Sequence, residues 1–211
     1  MNEVDLLLLR KINQEWTNAL LDWLMPAVSA IDAWVPLLVL AGLWIAWKGG
    51  ARGRWMLGIL LITLAVNDGL VCKSLKSAVG RPRPRDAMDG VMIRDLGKAD
   101  FGMARLFKPV VIKPGKRQDP LLPGKSFPSS HTANLFAAAV VIAAFHRGFG
   151  LLAFGLAFLV AWSRVYCGAH WPMDIPPSAA IGMLVALACL GLAKRCFATH
   201  RREEMGGAAG A

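Results

Sequence analysis

The chain has 211 residues, 55% of them hydrophobic and 18% charged, and its 24 Lys+Arg outnumber 14 Asp+Glu to give a formal net charge of +10. With 21 glycines beside the hydrophobic set, it exceeds the ~45–50% apolar share of soluble domains, and its charge content falls below the usual ~25%. These values exclude a disordered or low-complexity chain and argue against an ordinary soluble globule, while the length fits one domain. Lys and Arg sit between apolar runs rather than over one face interleaved with stacking aromatics, which argues against nucleic acid as a partner. Cys72, Cys167, Cys189 and Cys196 form no metal-type pair and fall mostly in apolar stretches, so neither a disulfide framework nor a zinc site is expected.

From the start of the chain, Glu3 and Asp5 stand where a signal peptide would be basic, so no cleavable signal is expected. Leu9, Ile12, Trp16, Leu20 and Trp23 then recur at spacings of three or four, with Arg10, Lys11, Asn13, Gln14 and Glu15 between them. That pattern predicts an amphipathic helix lying in the membrane interface. A sixth span over Trp16–Ile31 is disfavoured because it would bury Asn18 and Asp22. Five apolar runs follow: Ala33–Trp47, Trp55–Val71, Thr132–Phe145, Phe149–Trp162 and Ile175–Ala193. Several fall short of the ~20 residues that cross a bilayer, but their flanks can extend them. Trp34, Trp44, Trp47 and Trp55 stand near run ends as interfacial anchors. The predicted fold class is all-α, a polytopic membrane helix bundle of about five transmembrane helices plus the interfacial helix.

Short connections carry Lys48, Arg52, Arg54, Arg147, Lys194, Arg195, Arg201 and Arg202, which the positive-inside tendency places in the cytoplasm. The one long polar stretch, Gly80 to Lys125, exceeds the length of an ordinary connector, and its mixture of basic and apolar residues predicts partial order.

Three clusters end three different spans: Lys76 to Arg81-Pro-Arg83-Pro84, then Pro128-Ser129-Ser130-His131, then Ser163-Arg164 through His170 to Asp174. Tracing the chain through five spans puts all three on one side of the membrane. Lys76, Arg83 and Arg164 offer a cationic cradle for a dianion. Ser129 and Ser130 precede a helix, so hydroxyls and N–H groups add anion contacts at its positive end. Two histidines suit a two-step phosphoryl transfer, one attacking phosphorus and one protonating the leaving oxygen. Asp174, four residues past His170, is placed to hold that ring's far N–H. No carboxylate cluster suited to Mg²⁺ accompanies them, so a metal-free transfer with no cofactor is expected. Arg81 and Arg85 read as headgroup or solvent contacts, and Asp68 as a structural polar contact inside its span.

The clusters resemble the type 2 phosphatidic acid phosphatase family, whose pattern runs Lys-x6-Arg-Pro, Pro-Ser-Gly-His and Ser-Arg-x5-His-x3-Asp. The first and third fit without gaps; in the second, Ser130 replaces the glycine. The resemblance implies His170 as nucleophile, Asp174 as its orienting group and His131 as the acid. It implies Lys76, Arg83, Arg164, Ser129 and the N–H of Ser130 as phosphate ligands. A serine at position 130 would be strained if the backbone there required positive φ. One membrane-embedded phosphatase domain is expected over residues 1–200, with its active-site loop at about 80–130 and a flexible tail over 201–211.

Family members hydrolyse phosphatidic acid, phosphatidylglycerophosphate, lipid A, prenyl diphosphates and sugar phosphates. A haloperoxidase is disfavoured, because those relatives are larger and soluble. A compact five-span chain with an outward-facing site is similar to bacterial enzymes that convert undecaprenyl diphosphate to its monophosphate. The expected reaction is therefore hydrolysis of a lipid phosphate or diphosphate at the bacterial inner membrane, with the site facing the periplasm. A lipid phosphotransferase would use the same motifs, and a non-catalytic lipid-binding protein would be expected to lose a histidine.

Overall fold

The computed structural model describes residues 3–99, 102–119 and 124–208, with side chains described as far as Cys196. Helix α1 (Glu3–Arg10) runs into a π-type turn at Lys11–Glu15, and α2 (Ala19–Ser29) follows after a break. The long helices are α3 (Ile31–Lys48), α4 (Gly50–Leu64), α7 (Ser130–Phe145), α8 (Arg147–Tyr166) and α9 (Ile175–Ala208). Helix α4 continues through a π-type stretch at Ala65–Cys72 into α5 (Lys73–Val79). Between α5 and α7 lie the short α6 (Pro84–Ala87) and an antiparallel pair, β1 (Met92–Leu96) and β2 (Val110–Pro114). Ile31–Lys48, Gly50–Ala87, Arg147–Tyr166 and Pro172–Cys196 are long and apolar enough to cross a bilayer, and the chain is a membrane protein.

The fifth expected span, α7, has 16 residues, roughly 24 Å at the helical rise, against a hydrocarbon thickness of ~30 Å. It compensates by lying inside the bundle, packed on α4, α8 and α9. Its buried side chains are small for the most part: Ala133, Ala137, Ala139, Thr132 and Val141 beside Phe136. Close backbone approach is what membrane helices use in place of a hydrophobic driving force. At the α7–α9 crossing a Cβ on Gly182 would strike the Ala133 carbonyl, so only glycine permits that approach. Helix α3 has the opposite character. Of its residues only Ala33 is buried, and Val35, Leu37–Leu40 and Leu43 face outward, as a lipid-facing helix requires.

The N-terminal stretch expected as one amphipathic helix is split in two. Leu9 and Ile12 are buried against Val91, Tyr166 and Trp171, whereas Trp16, Leu20 and Trp23 are exposed. The periodic stripe breaks because Asn18 adopts extended backbone and its side chain caps α2 through the Leu21 N–H at 2.9 Å. Asp22, disfavoured as a buried group, is compensated instead: it accepts from Arg94 Nε and from the Tyr166 hydroxyl, each at 2.6 Å.

The loop expected to be partly ordered forms the β1–β2 hairpin, an addition to the all-α reading, in register from Met92↔Pro114 to Leu96↔Val110. Val110, Val111 and Ile112 supply the β-branched run. Asn13 pins the hairpin by receiving the Met92 N–H at 2.8 Å and donating to the Met92 carbonyl at 2.8 Å. Gly168, at φ +69°, sits so close to the Met92 carbonyl that a side chain there would collide. Asp68 is exposed, and the buried polar contact in that stretch belongs to its neighbour Asn67, which donates to Asn134 Oδ1 at 2.6 Å. Helix α9 extends to Ala208, so the expected tail over 201–211 lies outside the residues whose side chains are described, and 209–211 lie outside the described residues altogether.

Candidate active site

The three clusters meet at one end of the bundle. Lys76 comes from α5, Arg83 from the bend before α6, Ser129 to His131 from the start of α7, Arg164 from the last turn of α8, and His170 and Asp174 from the connection into α9. Lys76 Nζ donates to Ser130 Oγ at 2.6 Å, which joins the first cluster to the second. Arg164 Nη1 donates to the Ser29 hydroxyl at 2.5 Å and lies 3.3 Å from its carbonyl, so α2 helps to aim it. Among the described residues, the Nε–H groups of Arg83 and Arg164 are buried with no hydrogen-bond partner. Such a donor is costly unless an acceptor comes to it. Two orphaned guanidinium donors at one site are what an oxyanion would satisfy.

His170 is almost fully buried. Its Nδ1 lies 2.6 Å from the Ser126 carbonyl. A carbonyl only accepts, so Nδ1 carries the hydrogen and Nε2 keeps its lone pair. Burial pushes the imidazole well below its ordinary pKa; the Arg164 and Arg83 charges push the same way, and the Ser126 carbonyl opposes them. Arg164, Lys76 and Arg83 also act electrostatically on His131, in the first turn of α7.

The expected direct bond from Asp174 to His170 is replaced by a relay. The Asp174 carboxylate accepts from the Ser126 hydroxyl at 2.5 Å, from the Trp171 N–H at 3.2 Å and from Arg81. It therefore fixes the residue whose carbonyl holds the histidine. The physical reason is local: the tight 3-10 turn Pro172–Asp174 folds the carboxylate back onto its own N-terminus. Sequence reasoning missed Ser126, since a backbone carbonyl leaves no signal in residue identity. It also misplaced Arg81, which is paired with Asp174 and with Asp5 rather than turned to headgroups.

Ser129 and Ser130 are divided between two tasks. Ser129 is the fully buried N-cap of α7; its hydroxyl oxygen accepts from the Thr132 hydroxyl at 3.0 Å, and its own N–H donates to Ser178 Oγ at 2.9 Å. Ser130 opens the helix, and no described non-glycine residue has positive φ, so the strain considered for a serine at this position does not arise. Its hydroxyl supplies the acceptor for Lys76 that a glycine would lack.

The chain is 38% identical over 76 residues to the bacitracin transport permease protein BcrC of Bacillus licheniformis, covering 36% of this chain and 37% of that protein. It is 43% identical over 63 residues to the putative undecaprenyl-diphosphatase YbjG of Escherichia coli K12, covering 29% and 32%. The chain thus spans about a third of the length of these two curated relatives. A lipid A 4'-phosphatase of Bacteroides thetaiotaomicron is 28% identical over 168 residues, covering 76% of this chain and 64% of that protein. The fold is similar to the crystal structure of Aquifex aeolicus LpxE, with a TM-score of 0.61 at 22% identity over 90% of this chain and 96% of that one. Residues 55–198 match the PAP2 superfamily, a stretch that holds all three clusters and more than half of the sequence; the chain belongs to that superfamily.

Proposed function

We propose that the protein is an integral-membrane phosphatase that cleaves a phosphate or diphosphate lipid through a phosphohistidine, with undecaprenyl diphosphate as its substrate. The observation that carries this reading is His170: buried, hydrogen-bonded at Nδ1 so that the lone pair lies on Nε2, beside two arginines whose Nε–H groups have no partner among the described residues. Nε2 attacks phosphorus, the N–P bond forms, and the P–O bond to the lipid phosphate breaks. His131 gives its proton to the departing oxygen and then takes one from the water that attacks the phosphohistidine. Lys76, Arg83, Arg164 and the first N–H groups of α7 neutralise the charge that builds on the phosphoryl oxygens, so the reaction needs no metal. Ser129 holds the start of α7 in place as its cap, and Asp174 positions His170 through Ser126.

The resemblance to a putative undecaprenyl-diphosphatase supports the diphosphate substrate. The orientation we propose rests on the bundle's two ends. Arg52, Trp55, Phe145 and Lys194 line one cavity of about 450 Å³ at the end away from His170, in keeping with a cytoplasmic basic end and a site facing the periplasm. Phosphate release by the purified protein in right-side-out vesicles tests both points. The expected result is fastest release from undecaprenyl diphosphate, undiminished by EDTA, with phosphate appearing outside. Preference for phosphatidylglycerophosphate, phosphatidic acid or lipid A would replace the substrate. Transfer of phosphate to a second lipid would make the protein a phosphotransferase, and release inside the vesicles would invert the topology.

A further inference from the structure

Asp5 is 1% exposed and lies on α1, well before the residues that match the family. A carboxylate so deeply buried must be paired. Its Oδ2 accepts from Arg81 Nη2 at 2.5 Å, and its Oδ1 accepts from the Met173 N–H at 2.8 Å. The other arm of the Arg81 fork, Nη1, goes to Asp174. From Asp174 the bonds run through the Ser126 hydroxyl to the Ser126 carbonyl and so to His170 Nδ1. Arg81 is steadied from the side by the Trp171 ring, 5.3 Å from the guanidinium carbon, and that indole donates to the Pro82 carbonyl at 2.8 Å.

We infer that Asp5 is a positioning residue for phosphoryl transfer, with α1 completing the active site from outside the stretch that matches the family. A guanidinium shared between two carboxylates holds each at a fixed distance. With Asp5 neutral, Arg81 has one charged partner, and Asp174 is drawn toward it and away from Ser126 and the Trp171 N–H. The Ser126 carbonyl then loses its seat, and His170 loses its fixed ring orientation. Among the described residues Asp5 makes its hydrogen bonds and ion pair with Arg81 and the Met173 N–H rather than with Lys76, Arg83 or Arg164, so the loss falls on the chemical step and spares substrate binding. This inference rests on His170 as the nucleophile.

The test uses the full chain in lipid nanodiscs with undecaprenyl diphosphate. Asp5→Asn should lower kcat by about 10-fold, the low end of the range for losing an outer hydrogen-bond partner of a metal-bound histidine, because Asp5 acts on His170 through Arg81, Asp174 and Ser126, with KM within about twofold. Asp5→Glu should restore part of kcat, since it keeps the charge. Asp5→Asn combined with Ser126→Ala should cost no more than the worse single variant, because both act through one chain of contacts. A thermal melt identifies folded protein, and the Asp5→Glu arm decides if Asp5→Asn fails to fold. Unchanged kcat in folded Asp5→Asn, a loss confined to KM, no restoration by Asp5→Glu, or additive losses with Ser126→Ala would each overturn the inference. Phosphoenzyme that still forms in His170→Ala would instead overturn the nucleophile assignment, whatever Asp5 does.

Discussion

The Ser126 carbonyl takes the Nδ1 hydrogen of His170 and leaves the lone pair on Nε2, the atom proposed to attack phosphorus. Burial, with Arg164 and Arg83 adding to it, lowers the imidazole pKa below its ordinary 6.5. A lowered pKa means that the neutral form persists into acid, so on the proposed mechanism protonation removes activity only once pH falls below 6.5. Phosphoenzyme formation from a substrate with a good leaving group, which needs no proton from His131, should therefore hold its rate from pH 7 to pH 6 in rapid-quench measurements. An acid limb centred at or above 6.5 would mean that the ring is solvated rather than buried. At this scale the motifs were legible: His131, His170, Asp174, Lys76, Arg83 and Arg164 announced themselves by type and spacing. Ser126 and Asp5 did not, because one acts through its backbone and the other reaches Arg81 across 76 positions.

Elements were legible where hydropathy alone determines them. The five long helices follow the five apolar runs, since a bilayer leaves few alternatives to a helix. The N-terminal stripe has one period but forms two helices: Leu9 and Ile12 face protein, and Asn18 interrupts the helix before Trp23. The hairpin was hidden by its charge. Arg94, one of the basic residues of that stretch, is 5% exposed and bonded to Asp22, which is 26% exposed. Arg105 reaches Asp32 on α3 and, at 3.0 Å, Asp95 on β1. These pairs tie the hairpin to α2 and α3. Replacing Asp22 by Ala strands the Arg94 charge and the Tyr166 hydroxyl, and should cost about 3 kcal/mol, the low end for breaking a buried pair because Asp22 is partly solvated. Limited proteolysis should then cut near residues 97–109 far sooner than in the parent. Equal cleavage rates would show that the hairpin stands without α2.

Across the whole molecule, one end carries the short basic connections and the other gathers three motif clusters, the hairpin and the N-terminal helices. The short α7 joins them: enclosed by α4, α8 and α9, it presents Ser130 and His131 beside Lys76 and holds Ser129 against Ser178 on α9. This convergence was foreseeable from topology, since helices that alternate in direction must bring the three cluster-bearing ends together. The way the N-terminal segment closes the site was not, because neither Asp5, Asn13 nor Ser29 belongs to a motif. The proposed mechanism requires one covalent bond, from His170 to phosphorus. Acid-stable and acid-labile phosphate should be compared on protein quenched during turnover of radiolabelled lipid diphosphate, with the modified peptide sequenced by mass spectrometry. The account predicts an acid-labile, base-stable phosphoryl group on His170, absent from His170→Ala. Label on another residue, or turnover by His170→Ala at the parental rate, would contradict it.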